Sequence, residues 1–461
     1  MTSEDSTLEP SNMPRLALIT AIVAALAFAA VMFAPKELAI AVALVGCVAL
    51  AAVVFRRPEV AIIALVGAAA LDITGRLATI GGAKITIYQG LLVVVLGFVF
   101  WRVRTGRSKL VSTPVDLPLA MFCALAVASV FVAVQPALAL VQVASLFSCA
   151  LLVYVVVVLV DTPEKAELVV LGVLGLACLW SVAAYFEKRG LFHIGQVIIT
   201  YGYGIRTKVT FKDPNILGDF LTVSAALAMP LAVVAKSKLK RVAVLAGVAL
   251  CFVAVLWTGS RGAFGGFLIA AMVVVLALRI PLWQKLLLLG VAVAGVVGGL
   301  AFFVNPMWVQ DKVLGLWQDQ SWMDRVRIVN SGIAIARDNI FGVGAGNFPV
   351  VYPFYRDPVV RFDLVESHTM LATLVVEYGF AGLFVFLWLL WRFLSRMIVV
   401  AWHEKPGRLQ ALATGVLAAG MGVFAQSFTY SLETSKYLWL TIGLGMAVYT
   451  MAKAPSDKEI P

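Results

Sequence analysis

Charge is what this sequence has least of. Only 13% of its 461 residues are Asp, Glu, Lys or Arg and three are His, against 62% hydrophobic. A soluble domain is about a quarter charged and about half apolar, so this scarcity excludes an ordinary soluble globular chain. Cysteine is sparse as well. Cys47, Cys123, Cys149, Cys178 and Cys251 all sit in apolar segments with no CxxC spacing, which argues against disulfides and against zinc. Also missing are a Walker A loop, an HExxH helix, a GxSxG elbow and a DxD pair. ATP hydrolysis, zinc proteolysis and divalent-metal-bound nucleotide-sugar chemistry therefore have no support. Nor is there the period-2 alternation of a transmembrane barrel.

What the chain has in abundance is long hydrophobic runs, with a mean hydropathy of +0.98. A helix needs about 20 apolar residues to cross the hydrocarbon, and such runs recur along most of the sequence. They predict an all-α polytopic membrane protein with spans at 16–34, 38–55, 60–75, 86–102, 116–134, 138–160, 167–186, 215–236, 240–258, 262–280, 285–304, 379–398, 409–428 and 437–452. Fourteen is the best count. The short third span and the tight hairpins at Pro35 and Pro136 leave twelve as the alternative. The opening stretch "MTSEDSTLEPSNMPR" is polar and acidic, unlike a secretory n-region, so the first run reads as a retained span.

The net charge of +11 raises nucleic acid as a partner, but basic loops beside spans are ordinary topology determinants. No nucleic-acid partner is expected. With the N-terminus in the cytoplasm, twenty of the 36 Lys and Arg fall on the cytoplasmic side, among them "RVRTGRSK" and "KSKLKR". Of the other sixteen, eleven lie in the long loops 187–214 and 305–378, which weigh little in topology. Short loops thus compare as 20 against 5, and both termini are expected inside. The resulting layout is a cytoplasmic tail at 1–15, a membrane domain at 16–304 with an outer loop at 187–214, a long outer loop at 305–378, C-terminal spans at 379–452 and a tail at 453–461. Within the long loop, "SWMDRVRIVNSGIAIARDN" has helical spacing and "IFGVGAGNFPVVYP" breaks it with glycines and prolines. This predicts a small helical cap on the outer face.

The outer face then holds the residues suited to chemistry. Arg261 lies in the tight link "TGSRGA" between two apolar runs. It reads either as an interfacial arginine snorkelling to headgroups or as a fixed charged fork for phosphate oxygens, with small neighbours that allow close approach. Arg206, with Lys208 and Lys212, sits in the Gly- and Tyr-rich stretch before "DPN". That is a solvated loop or an anion site backed by a helix start at 214–216. Asp219, one turn inside the next span, is expected to face the bundle interior and pair with a cation. His368 opens the apolar run "HTMLATLVVEYGFAGL"; it is either a satisfied structural group or the side chain that takes a proton near neutral pH. His193 shows no obvious partner and His403 falls on the cytoplasmic side. One base and several cations at an outer membrane face, without a metal motif, suit an activated, phosphate-bearing, lipid-tethered substrate.

Four ordered features carry a resemblance: Arg206 with "DPN" before a span, "SRGA" at 260–263 after one, "DRVRIVNSGIAIARDNIFGVGAGNF" at 324–348 and "SHTMLATLVVEYGFAGL" at 367–383. In order and topology the chain resembles the O-antigen ligases of the wider ligase–polymerase superfamily. It departs in carrying Thr369 after His368, where family members often have Asn. The resemblance implies a glycosyltransferase in the bacterial inner membrane, with its active site facing the periplasm. It would transfer O-antigen polysaccharide from undecaprenyl diphosphate to lipid A–core by a metal-independent, inverting, cofactor-free reaction. His368 would be the general base and Arg206 and Arg261 the diphosphate ligands, with Lys208, Lys212 and Arg325 as further candidates. An O-antigen polymerase or a protein O-oligosaccharyltransferase would share the donor. A lipid-linked sugar or anion transporter is the competing class, though no paired broken helices of an internal repeat are evident.

Overall fold

The computed structural model describes residues 53–71, 76–80, 83–194, 198–200, 204–304, 320–360 and 367–453. The first expected span, nearly all of the second, the N-terminal tail, 305–319, 361–366 and 454–461 lie outside the described residues. The rest is helical apart from two short hairpins. In order the elements are α1 (Val60–Ala70), β1 (Arg76–Ile80), β2 (Ala83–Thr86), α2 (Ile87–Arg104), α3 (Asp116–Ala128), α4 (Pro136–Leu159), α5 (Pro163–Lys188), β3 (Ile198–Thr200) and β4 (Gly204–Arg206). There follow α6 (Pro214–Val234), α7 (Lys238–Thr258), α8 (Arg261–Ala277), α9 (Leu282–Phe303), α10 (Gln320–Asp338), α11 (Phe348–Tyr355), α12 (Met370–His403), α13 (Arg408–Gln426) and α14 (Lys436–Lys453). Each expected span from residue 60 onward contains a helix. Among the described residues seven helices are long and apolar enough to cross a membrane: α2, α4, α5, α6, α7, α12 and α13. This is the architecture of a polytopic helical membrane protein.

Local chemistry sets the helix starts. Thr86 and Gln89 form a reciprocal capping box on α2, Thr162 caps the Lys165 N–H at 3.3 Å ahead of Pro163 in α5, and Ser260 caps that of Ala263 in α8. Each satisfies a backbone donor that the first turn leaves over. α6 is the buried centre, packed by α5, α7, α8, α13 and α14. Lipid supplies no hydrophobic drive between helices, so close backbone approach carries the packing. At the α8–α13 crossing a Cβ on Gly266 would lie 2.6 Å from the Gly422 carbonyl oxygen, and one on Gly422 would lie 2.8 Å from that of Gly266.

Among its described residues the expected long loop 305–378 is largely helical. α10, α11 and the start of α12 share an apolar cluster of their own, including Ile328, Ile335, Phe348, Tyr352 and Val376. α12 begins at Met370, nine residues ahead of the expected span, and kinks at Gly379, whose φ is 68°. Between α10 and α11 the "GVGAGN" segment threads past the kink. Val343 N–H donates to the Val376 carbonyl at 2.8 Å and Gly344 N–H to that of Glu377 at 3.1 Å. Gly346 N–H and Phe348 N–H reach the buried Glu377 carboxylate at 2.7 and 3.3 Å. A carboxylate inside an apolar helix persists because these backbone donors take up its lone pairs.

Candidate functional site

One end of the bundle gathers the start of α6, the α7–α8 turn, the start of α12 and the loop between α13 and α14. Strand β4 lies across it. Thr207 N–H donates to the Trp257 carbonyl at 3.2 Å and Arg206 Nε to that of Thr258 at 2.8 Å. Arg206 is thereby laid along the α7 C-cap, Gly259, which takes the left-handed φ of 63°. A Cβ on Gly259 would stand 3.2 Å from Arg206 Nε, so glycine serves both the turn and the approach. Two residues on, Arg261 opens α8. Burial lowers the Arg206 guanidinium from its ordinary value; Asp213 opposes that shift and the charge of Arg261 adds to it. Two cations held this near one another repel, and an anion between them relieves the repulsion.

The turn abuts the α13–α14 loop, since a Cβ on Gly262 would meet the Thr429 hydroxyl and the Gln426 side chain. The next residue, Tyr430, has its ring centroid 6.2 Å from that of His368. His368 is held in the left-handed region at φ 50°, an uncommon conformation for a non-glycine residue. Its flanks are pinned: Met370 N–H donates to the Ser427 carbonyl at 2.9 Å, and the Ser367 hydroxyl bonds those of Thr373 and Ser431, the latter at 2.9 Å. Arg206, Arg261 and His368 thus border one connected set of turns.

Next to this set lies a cavity of about 330 Å³, lined among others by Lys212, Ser367, Glu377, Tyr430, Glu433 and Lys436. Small-molecule sites begin at about this size. Its wall mixes hydroxyls, both signs of charge and aromatic rings. No motif marks the 427–436 loop in the sequence. Its signal was compositional: "SFTYSLETSK" carries six hydroxyl residues between two apolar runs.

The other candidates are spread more widely. Lys208 is buried, and its N–H and that of Val209 donate to one oxygen of Glu187, at 2.8 and 2.7 Å. Lys212 is exposed at the cavity. Arg325 belongs to α10, one residue after the buried Asp324. Two expectations need correction. Asp219 is fully buried, but its described partner is the Ser435 hydroxyl at 2.6 Å and not a cation; a neutral donor met the need without bringing a second charge into the core. The start of α6 is occupied by its own cap, with Asp213 Oδ1 accepting from Asn215 N–H at 2.7 Å, so that helix end favours Asp213 before any ligand. His193 is exposed, and His403 Nδ1 lies 2.9 Å from the Val399 carbonyl. Among the described residues the four cysteines are free thiols, and no cluster of three or more His, Cys, Asp or Glu has the arrangement of a metal centre.

No curated protein matches the chain. A solved structure described as "Structural coordination of polymerization and crosslinking by a peptidoglycan synthase complex" aligns with 74% of this chain and 98% of that one at 16% identity, with a TM-score of 0.43. Residues 246–387 match the family model described as O-antigen ligase. The matched stretch contains the Gly259–Arg261 turn, α10, α11 and His368 at the head of α12, and it supports the assignment of this chain to the O-antigen ligase family.

Proposed function

We propose that the protein transfers O-antigen polysaccharide from undecaprenyl diphosphate to lipid A–core, at the periplasmic face of the bacterial inner membrane. The observation that carries this reading is the approach of Arg206 to Arg261 at the Gly259 turn, beside the loop that packs against His368. Arg206 and Arg261 bind the diphosphate. His368 takes the proton of an acceptor hydroxyl as its oxygen attacks the anomeric carbon, and the bond to the diphosphate breaks with the electron pair leaving on phosphate oxygen. Attack opposite the leaving group inverts that carbon.

The energetics match the parts. Removing one preorganised donor to a developing anion costs about 3–4 kcal/mol of barrier, and a positioned base contributes roughly 100- to 10,000-fold. Lys212 at the cavity, Lys208 and Arg325 are further contacts to the anionic donor. The test is reconstitution: purified protein with lipid-linked O-antigen and lipid A–core should yield a ladder of extended lipopolysaccharide that Arg261→Ala abolishes. Modification of a glycan chain or a protein with lipopolysaccharide inert would point to the polymerase or the protein-directed alternative. Passage of lipid-linked sugar across vesicles with no acceptor modified would point to transport.

A further inference from the structure

At the end of the bundle opposite the candidate site lies a second cavity, of about 480 Å³, between the segment leading into α3, the middle of α12 and the end of α14. α14 connects the two: Lys436 at its first turn lines the first cavity and Lys453 at its last lines the second. Eighteen residues at 1.5 Å per residue separate the two by about 25 Å, close to the roughly 30 Å thickness of bilayer hydrocarbon. The second cavity therefore lies about a membrane's thickness from the first.

Its lining is one-signed. Among the described residues Arg392, Arg396 and Lys453 contribute three cations, Ser112, Thr113, Tyr449 and Thr450 contribute polar groups, and no acidic side chain lines it. The nearest acid on the same segment, Asp116, is taken up by Thr113, which donates its N–H at 2.7 Å and its hydroxyl at 2.6 Å, and by the Tyr154 hydroxyl at 3.1 Å. The cations are ordered. Arg392 Nε donates to the Pro114 carbonyl at 3.1 Å. The Arg396 guanidinium and the Lys453 ammonium both lie against Tyr449, 5.9 and 5.2 Å from its ring centroid. Arg396 Nε is buried and has no hydrogen-bond partner among the described residues. Lys453 alone would be explained by the negative end of α14. Arg392 and Arg396 are not, because α12 runs on to His403.

We propose that this cavity is a binding site for the phosphate of an anionic phospholipid headgroup. Three cations at a membrane boundary, held by an aromatic ring and a backbone carbonyl, leave guanidinium donors for phosphate oxygens. The site lies a membrane's thickness from Arg206 and Arg261 and does not depend on the reaction proposed above.

Native mass spectrometry of the full chain in neutral detergent tests this, with phosphatidylglycerol, phosphatidylcholine, glycerol 3-phosphate and inorganic phosphate as probes. Phosphatidylglycerol should be retained over phosphatidylcholine, and its retention should fall as salt rises. Arg396→Gln should lower retention about fivefold, the value of one cation near an anionic headgroup, while Arg396→Lys keeps most of it. Melting of these variants in lipid-free detergent shows whether the fold survives; the salt and lipid series on the unaltered chain stands without them. Equal retention of the two lipids, or retention unmoved by salt, would overturn the proposal. So would displacement by inorganic phosphate or glycerol 3-phosphate at the lipid's own concentration, which would make the ligand a soluble phosphate. Retention that depends on residues 454–461 with the three cations intact would overturn it too.

Discussion

Arg206 and Gly259 are a matched pair. The arginine donates Nε to the carbonyl of Thr258 at 2.8 Å, and the glycine leaves the space in which the side chain lies, where an added Cβ would stand 3.2 Å from Nε. Because Gly259 also holds φ at 63°, replacing it by Ala costs about 1–2 kcal/mol in backbone strain alone and pushes the guanidinium off its track. Gly259→Ala should therefore cut glycan transfer well beyond its effect on melting temperature. Arg206→Lys, which keeps the charge but loses the planar fork, should lower turnover by roughly 100- to 1,000-fold with melting nearly unchanged. Transfer rates measured beside thermal melts check both; a rate loss no larger than the stability loss would remove Arg206 from the donor site.

His368 separates two roles by pH. If it accepts the acceptor's proton, the rate of the unaltered protein falls on the acid side as the imidazole becomes protonated and can no longer act as a base. His368→Gln should lose about 100- to 10,000-fold in rate and, in what activity remains, that acid limb. A residual profile with the same acid limb would assign the limb to another group and leave His368 as a residue that only shapes the turn.

What could be read from the sequence follows a physical division. Spans were legible because burial in lipid writes itself as runs of apolar residues, and "DPN" was legible as a helix start because capping is local chemistry. The nearness of Arg206 to Arg261 was only an expectation, since no local rule brings together residues that a whole helical hairpin separates. The start of α12 was misplaced because Glu377 reads as a polar interruption. Its lone pairs are met by Gly346 and Phe348, about thirty positions away, which no periodicity records. An ionisable group inside a span calls on general grounds for a cationic partner, while the structure supplies Asp219 with Ser435, from a loop that no motif marks.

Glu187 organises the approach to the site. One of its carboxylate oxygens accepts the N–H groups of Lys208 and Val209 and holds Val209 at a φ of 51°, a strained value for a β-branched residue. Hydrogen bonds to a charged acceptor are worth about 1.5–3 kcal/mol. Glu187→Ala should lower the melting temperature and, by freeing β4, weaken donor binding. Glu187→Gln, which retains an acceptor oxygen, should lie between. Melting curves with and without lipid-linked donor read both effects; an unaltered donor-induced shift in Glu187→Ala would show that the 207–209 segment is irrelevant to binding.

Gly344 tests the thread between the α10–α11 segment and the membrane helices. It sits at a φ of 92°, and a Cβ there would lie 2.4 Å from Ala133 Cβ, 2.5 Å from Ala133 Cα and 3.0 Å from the Ser129 carbonyl oxygen. None of these is the far end of a flexible side chain, so the segment or the α3–α4 corner must move. Such movement breaks the bonds that Ala345 N–H makes to the Ser129 hydroxyl at 3.1 Å and Val134 N–H to the Val343 carbonyl at 3.3 Å. Left-handed strain of about 1–2 kcal/mol and overpacking of about 1–3 kcal/mol add to that loss. Gly344→Ala is thus expected to destabilise the protein by at least about 2 kcal/mol, visible as a lower melting temperature and lower yield in detergent. Gly97→Ala, in α2 with nothing within 4 Å of the added carbon, provides the contrast and should be neutral or slightly stabilising. Equal melting of the two variants would mean that the glycine segment does not pack against Ala133.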